Sequence, residues 1–197
     1  MPIDVLLQHF LMYVIVPIWL MAGLADYFCH RASHIERTSG VAESLLHLLQ
    51  FALVGVPLLA ALFLQVNAAI LLMMVVGLVL HQATAVWDVR YANATRRVAP
   101  LEQHVHGVLE MAPAIATAIV AIRYWPDFLS LLGHGEARFG VELKHHPLPA
   151  WYLGAVMVGV LLCGVLPYGE EFLRTLQSAA ATRAERQLPG NVGHRRV

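Results

Sequence analysis

The chain has 197 residues, of which 58% are hydrophobic and only 13% charged. A soluble domain carries about 25% charged residues, so the composition excludes an ordinary soluble fold and points to a membrane protein. The formal net charge is zero, which leaves no basic surface for nucleic acid.

A bilayer-crossing helix needs about 20 mostly apolar residues, and five stretches meet that length. They cover about 5–29, 45–64, 68–89, 105–124 and 148–167. The runs are continuous rather than alternating, which argues for helices over barrel strands. The opening "MPIDVLLQHF" has no basic n-region, so the first run reads as a span and not as a cleaved signal. The two cysteines, Cys29 and Cys163, stand in or beside apolar runs, and no disulfide framework is expected. The expected fold is an all-α integral membrane protein of five transmembrane helices, the first four forming a bundle with a metal site at its cytoplasmic end. The division is 1–168 for the membrane domain and 169–197 for a cytoplasmic tail, partly helical and frayed at "LPGNVGHRRV".

The connections set the orientation. Arg31, Arg37, Arg90, Arg96, Arg97, Arg174, Arg183, Arg186, Arg195 and Arg196 share one side of a five-span topology. Arg138 and Lys144, with Arg123 at the border, are on the other. The positive-inside rule then predicts an outer N-terminus and a cytoplasmic C-terminus, in a plasma membrane of the bacterial inner-membrane kind.

The polar residues of the spans gather on the predicted cytoplasmic side. The first span ends with Asp26, His30 and His34, spaced four and four, which stacks them on one helical face. The second begins with Glu43 and His47, again four apart. The third descends with His81 and Asp88, two turns apart, and the fourth begins with Glu102, His104, His106 and Glu110. Ionisable groups at membrane depth cost about 2.5–3.5 kcal/mol each on insertion scales, so a cluster of this size calls for a compensating cation or shared protons. Imidazole and carboxylate together suit iron, zinc and manganese. Facing helices of a bundle can hold two metals this way. The candidate ligands are therefore Asp26, His30, His34, Glu43, His47, His81, Asp88, Glu102, His104, His106 and Glu110. Read singly, Asp26, His30, His34, Glu43 and Glu102 lie near the interface, where polar side chains are cheap, and a carboxylate at a helix start favours the dipole. The deeper His47, His81, Asp88, His106 and Glu110 fit a ligand role better. Arg31, Arg37, Arg90, Arg96 and Arg97 read as topology signals, and His145 and His146 fall on the outer side, away from this layer.

"HRASH" at 30–34 is an HxxxH box. With the other histidines collected on one side of four spans, the chain resembles the membrane fatty-acid desaturase and hydroxylase superfamily. That resemblance implies two irons at the cytoplasmic face and oxygen-dependent attack on a C–H bond of a lipid-like substrate. The HxxHH box of that superfamily is missing, since "LKHHP" at 143–147 lacks its first histidine. The carboxylate-rich fourth span looks more like the ferritin-like diiron proteins, yet their ExxH signature is absent as well.

The leading expectation is a non-haem diiron oxidoreductase of membrane lipid or another hydrophobic substrate. It would draw electrons from a separate donor, because no flavin, nicotinamide or iron–sulfur motif is present. The alternative is a zinc-dependent hydrolase of a lipid amide or ester, with Asp88, Glu110 or Glu43 as general base on a metal-bound water. A haem b electron carrier with His47 or His81 opposite His106 and a divalent-metal transporter complete the set.

Overall fold

A computed structural model describes residues 1–187. The frayed end expected over 188–197, with His194, Arg195 and Arg196, lies outside the described residues. Five helices are long and apolar enough to cross a membrane, and the chain is an integral membrane protein. They are α1 (Ile3–Ala32), α2 (Gly40–Phe63), α3 (Ala68–Thr95), α4 (Pro100–Arg123) and, after the short α5 (Trp125–Leu131), the 38-residue α6 (Ala150–Gln187). Among the described residues the only β pairing is a single bridge between Leu64 and Leu143.

Four helices run past the apolar stretches at the same end of the bundle. α1 reaches Ala32, α2 starts at Gly40, α3 continues to Thr95 and α4 starts at Pro100. Pro100 suits a first turn, since its missing N–H would be unpaired there anyway. At the opposite end Asn67 caps α3, its side chain accepting from Ala69 N–H at 3.0 Å. We call the first end the site end and the second the far end.

Prolines inside the helices each release a carbonyl four residues earlier. Pro57 frees that of Leu53, and Gly77 of α3 packs against it. A Cβ at Gly77 would stand 2.7 Å from the Leu53 oxygen, so the close approach of this helix pair depends on that glycine. Pro17 and Pro167 each follow a π-helical stretch, Leu11–Ile15 and Leu161–Val165. The widened turn relieves the clash between the proline ring and the preceding turn.

The apolar core occupies the middle and far end, where Met12, Val16, Leu62, Tyr152 and Val156 form one cluster and Ile70, Leu71, Met74 and Val120 another. The α5–α6 loop lies across the α2–α3 turn. Lys144 N–H donates to the Phe63 carbonyl at 3.0 Å and Gln65 N–H to that of Glu142 at 2.8 Å. Helix α6 continues without a break from its apolar half into the polar half expected as a tail. That polar half is seated on the turn between α1 and α2, where Arg174 pairs with Glu36 and the adjacent Ile35 is fully buried.

Candidate metal centre

The site end gathers seven of the eleven candidate ligands. Asp26 and His30 come from α1, Glu43 and His47 from α2, Asp88 from α3, and Glu102 and His106 from α4. Asp26, His30, Glu43, His47, Asp88 and Glu102 are each at most 4% exposed. The three carboxylates expected at the interface are thus as buried as the deeper ones, because the extended helix ends wrap them in protein.

The centre has an eighth member, which sequence alone places in the tail. Glu171, on the continuation of α6, is fully buried. Its two carboxylate oxygens lie 2.9 Å from His30 Nδ1 and 2.7 Å from His47 Nδ1. A carboxylate there accepts, so each Nδ1 carries a proton, and in the neutral ring each Nε2 is then left with its lone pair. The two rings stack with centroids 4.1 Å apart and an 8° tilt. A ligating histidine that gives its other N–H to a carboxylate is the usual arrangement behind a metal ion.

The freed nitrogens face acids. His30 Nε2 is 3.4 Å from Asp26 Oδ1 and 3.5 Å from Glu102 Oε1. His47 Nε2 is 3.4 Å from Asp88 Oδ2 and 3.9 Å from Glu43 Oε1. His106 Nε2 is 2.9 Å from Asp26 Oδ1. Despite these approaches, His30 Nε2, His47 Nε2, Asp26 Oδ1 and Asp88 Oδ1 are buried atoms without a hydrogen bond in acceptable geometry. Two groups, Asp26–His30–His106 and His30–Glu43–His47, each bring one donor atom per residue within 4.8 Å of one another and share His30. Orphaned donor atoms of this hardness fit a first-row divalent metal.

Arg96, expected as a topology signal, has its side chain buried between Glu43 and Glu102. Its Nε donates to Glu43 Oε1 at 3.1 Å and its Nη1 to Glu102 Oε2 at 3.0 Å. Burial works against its charge, but Glu102 and Glu43 more than offset this and hold the guanidinium protonated beyond the usual arginine range. Five buried carboxylates (Asp26, Glu43, Asp88, Glu102 and Glu171) against one guanidinium leave four negative charges if the imidazoles are neutral.

Four expected ligands stand apart. Helix α1 ends at Ala32 and His34 adopts a left-handed conformation, φ 52°. The HxxxH spacing therefore does not stack His34 below His30, and it lies exposed against Glu36 at 3.3 Å. His104 is exposed, its Nδ1 2.8 Å from the Pro100 carbonyl. His81 and Glu110 line a cavity of about 50 Å³ that adjoins the centre and is walled by Trp19, Phe51 and Leu109. His81 is 4% exposed and lies beside the Gln50 and Leu109 carbonyls, the latter released by Pro113. Neither of its nitrogens reaches hydrogen-bonding geometry. Around the rim, the Tyr168 hydroxyl lies 3.3 Å from Asp26 Oδ2, and Gln50 Nε2 donates to Asp88 Oδ2 at 3.2 Å.

Comparison of the chain with family models, curated proteins and solved structures returned no significant match.

Proposed function

We propose that this membrane protein is a metal-dependent oxidoreductase with a dinuclear, iron-type centre, acting on a hydrophobic substrate that enters from the bilayer. One observation carries the reading: Glu171 accepts hydrogen bonds from the Nδ1–H groups of His30 and His47, and their Nε2 atoms point unpaired at carboxylates. Two divalent ions would neutralise the four surplus negative charges. Protonating His30, His47 and His106 instead would leave one charge uncompensated. It would also turn each Nε2 into a donor, and His30 and His47 make no hydrogen bond there.

His30, His47 and His106 would hold the ions through Nε2, with Asp26 and Asp88 as carboxylate ligands. Glu43 and Glu102, tied by Arg96, would close the remaining side. Bound iron would supply Lewis acidity and the capacity to reduce dioxygen. Glu171 fixes the tautomer and plane of two imidazoles. Tyr168 and Gln50 hold Asp26 and Asp88 in place, and Trp19, Phe51 and Leu109 supply an apolar wall to the adjoining cavity. Electrons would come from a separate donor. The arginine-rich connections on the site side support a cytoplasmic location for it.

The second reading is a zinc-dependent hydrolase of a lipid amide or ester. It is favoured by the three imidazoles and by Asp88, whose Oδ1 has no partner and could serve as base toward a metal-bound water. The full chain, purified in mild detergent, distinguishes the two. About two irons per chain and oxygen-dependent turnover support the first, and about one zinc with oxygen-independent turnover supports the second. Negligible metal removes both.

A further inference from the structure

A second cavity, of about 400 Å³, occupies the far half of the bundle, within the roughly 300–1,000 Å³ typical of ligand sites. Its walls are mainly aliphatic, with Leu58, Leu62, Met74, Ala116 and Val120 among them, and no Asp or Glu lines it. Polar side chains collect at one end: Arg123, Lys144, His145, His146, Gln8 and Gln65. Arg123 is already engaged by Asp4 at 2.7 Å and by Gln8 at 2.8 Å. Lys144 is not so matched. Its ammonium donates to the Leu64 carbonyl at 2.9 Å, and no ion pair within 4 Å involves it among the described residues. An ammonium has three protons to give, so two remain for a ligand. Trp19 and Val54 line both this cavity and the small one that reaches Asp26, His47, Asp88 and His106.

We propose that this cavity binds a single-chain amphiphile with an anionic headgroup, the headgroup at Lys144 and the hydrocarbon lying along α2 toward Trp19. An apolar tunnel without acids, with an unmatched cation at its mouth, is complementary to that ligand and to neither a neutral lipid nor an amine. Leu64, the carbonyl partner of Lys144, is ten residues from Val54 and seventeen from His47, or about 15 Å and 25 Å of helix. An extended chain gains about 3.3–3.6 Å per three bonds. A tail of about 13 bonds therefore reaches the level of Trp19, and one of about 22 reaches the metal centre. The carbon presented to that centre belongs to the end of the chain remote from the headgroup. The substrate role rests on the reading of the metal centre above; the binding does not.

The test uses the full chain in detergent with Trp87, Trp125 and Trp151, all exposed, replaced by Phe, so that Trp19 is the sole indole. Trp19 is 9% exposed, which shields it from brominated chains in the micelle. A single-chain carboxylate brominated about 13 bonds from its headgroup should quench Trp19 saturably, and one brominated beside the headgroup should not. Lys144→Met should weaken the quenching at least fivefold, and an alkylamine of equal length should fail to compete. Chelator-treated protein should bind equally well. Quenching without saturation overturns the proposal. So does quenching indifferent to headgroup charge, which needs no variant to fold and leaves a hydrocarbon cavity without an anion site. Saturable quenching in protein that never holds metal would keep the binding site and remove only the substrate role. Metal without quenching would remove the binding site alone.

Discussion

Glu171 Oε1 lies 2.7 Å from His47 Nδ1, across 124 residues of sequence and from the last helix to the second. The same carboxylate reaches His30 Nδ1 through its other oxygen. One side chain thereby sets the tautomer of two stacked imidazoles. Outer carboxylates of this kind are typically worth about 10–100-fold in metal affinity. Glu171→Gln keeps the shape of the side chain and loses the charge, so the metal should bind about 10–100-fold more weakly while the helical content is unchanged. Competition with a chelator of known affinity measures this. An unaltered affinity would make Glu171 a structural acid only.

Arg96 is a buried partner, and its neighbour Arg97 is an exposed residue. Arg96→Gln leaves Glu43 and Glu102 buried without their cation, and breaking such a pair costs about 3–5 kcal/mol. Arg97→Gln should stay within about 0.5 kcal/mol of the parent. Unfolding in mixed micelles with graded denaturing detergent compares them. Arg96→Lys should rescue only in part, since a point charge cannot serve two carboxylates as a planar fork does.

The close α2–α3 contact gives a packing prediction. Gly77→Ala drives a methyl group toward the Leu53 carbonyl and the Pro57 ring, 2.7 Å and 2.9 Å from the new carbon. Overpacking of this kind costs about 1–3 kcal/mol. Gly107 of α4 faces open space, with nothing within 4 Å of where a methyl group would stand. Gly107→Ala should therefore be neutral or stabilising by up to about 1 kcal/mol. Thermal unfolding should place Gly77→Ala below the parent and Gly107→Ala level with it or above.

At the far end, burial first and then the nearby Arg123 charge push the Lys144 ammonium below the usual lysine range. The charged form is needed to hold an anion, so the affinity for one falls as pH rises through this lowered value. The affinity for a carboxylate probe, measured from pH 7 upward, should begin to fall before ordinary lysines deprotonate. An affinity that stays constant until ordinary lysines titrate would place the anion elsewhere.

Much of this architecture is legible in the residues, and the misses have physical causes. Five spans follow from apolar run length. Asp26 with His30 and Glu43 with His47 follow from their i, i+4 spacing, because those helices do continue through the polar positions. His34 fails the same rule because α1 ends two residues before it, at a left-handed turn that HxxxH spacing does not reveal. Glu171 is hidden by its position: charges just after an apolar run normally meet water, and the preceding Pro167 reads as a stop. Helix α6 instead continues, and Arg174 with Glu36 fastens it over the centre. Depth alone favours His81 as a ligand. In the fold it stands in the adjoining cavity and outside the two groups of gathered donor atoms.

Metal analysis of the purified full chain and of its His47→Ala, His34→Ala and His104→Ala variants tests the central claim most directly. A dinuclear centre at these residues predicts about two divalent transition-metal ions per chain in the parent, a severalfold loss in His47→Ala, and no change in the other two. Equal content in all four proteins, or a parent that binds no metal from metal-supplemented medium, would contradict it.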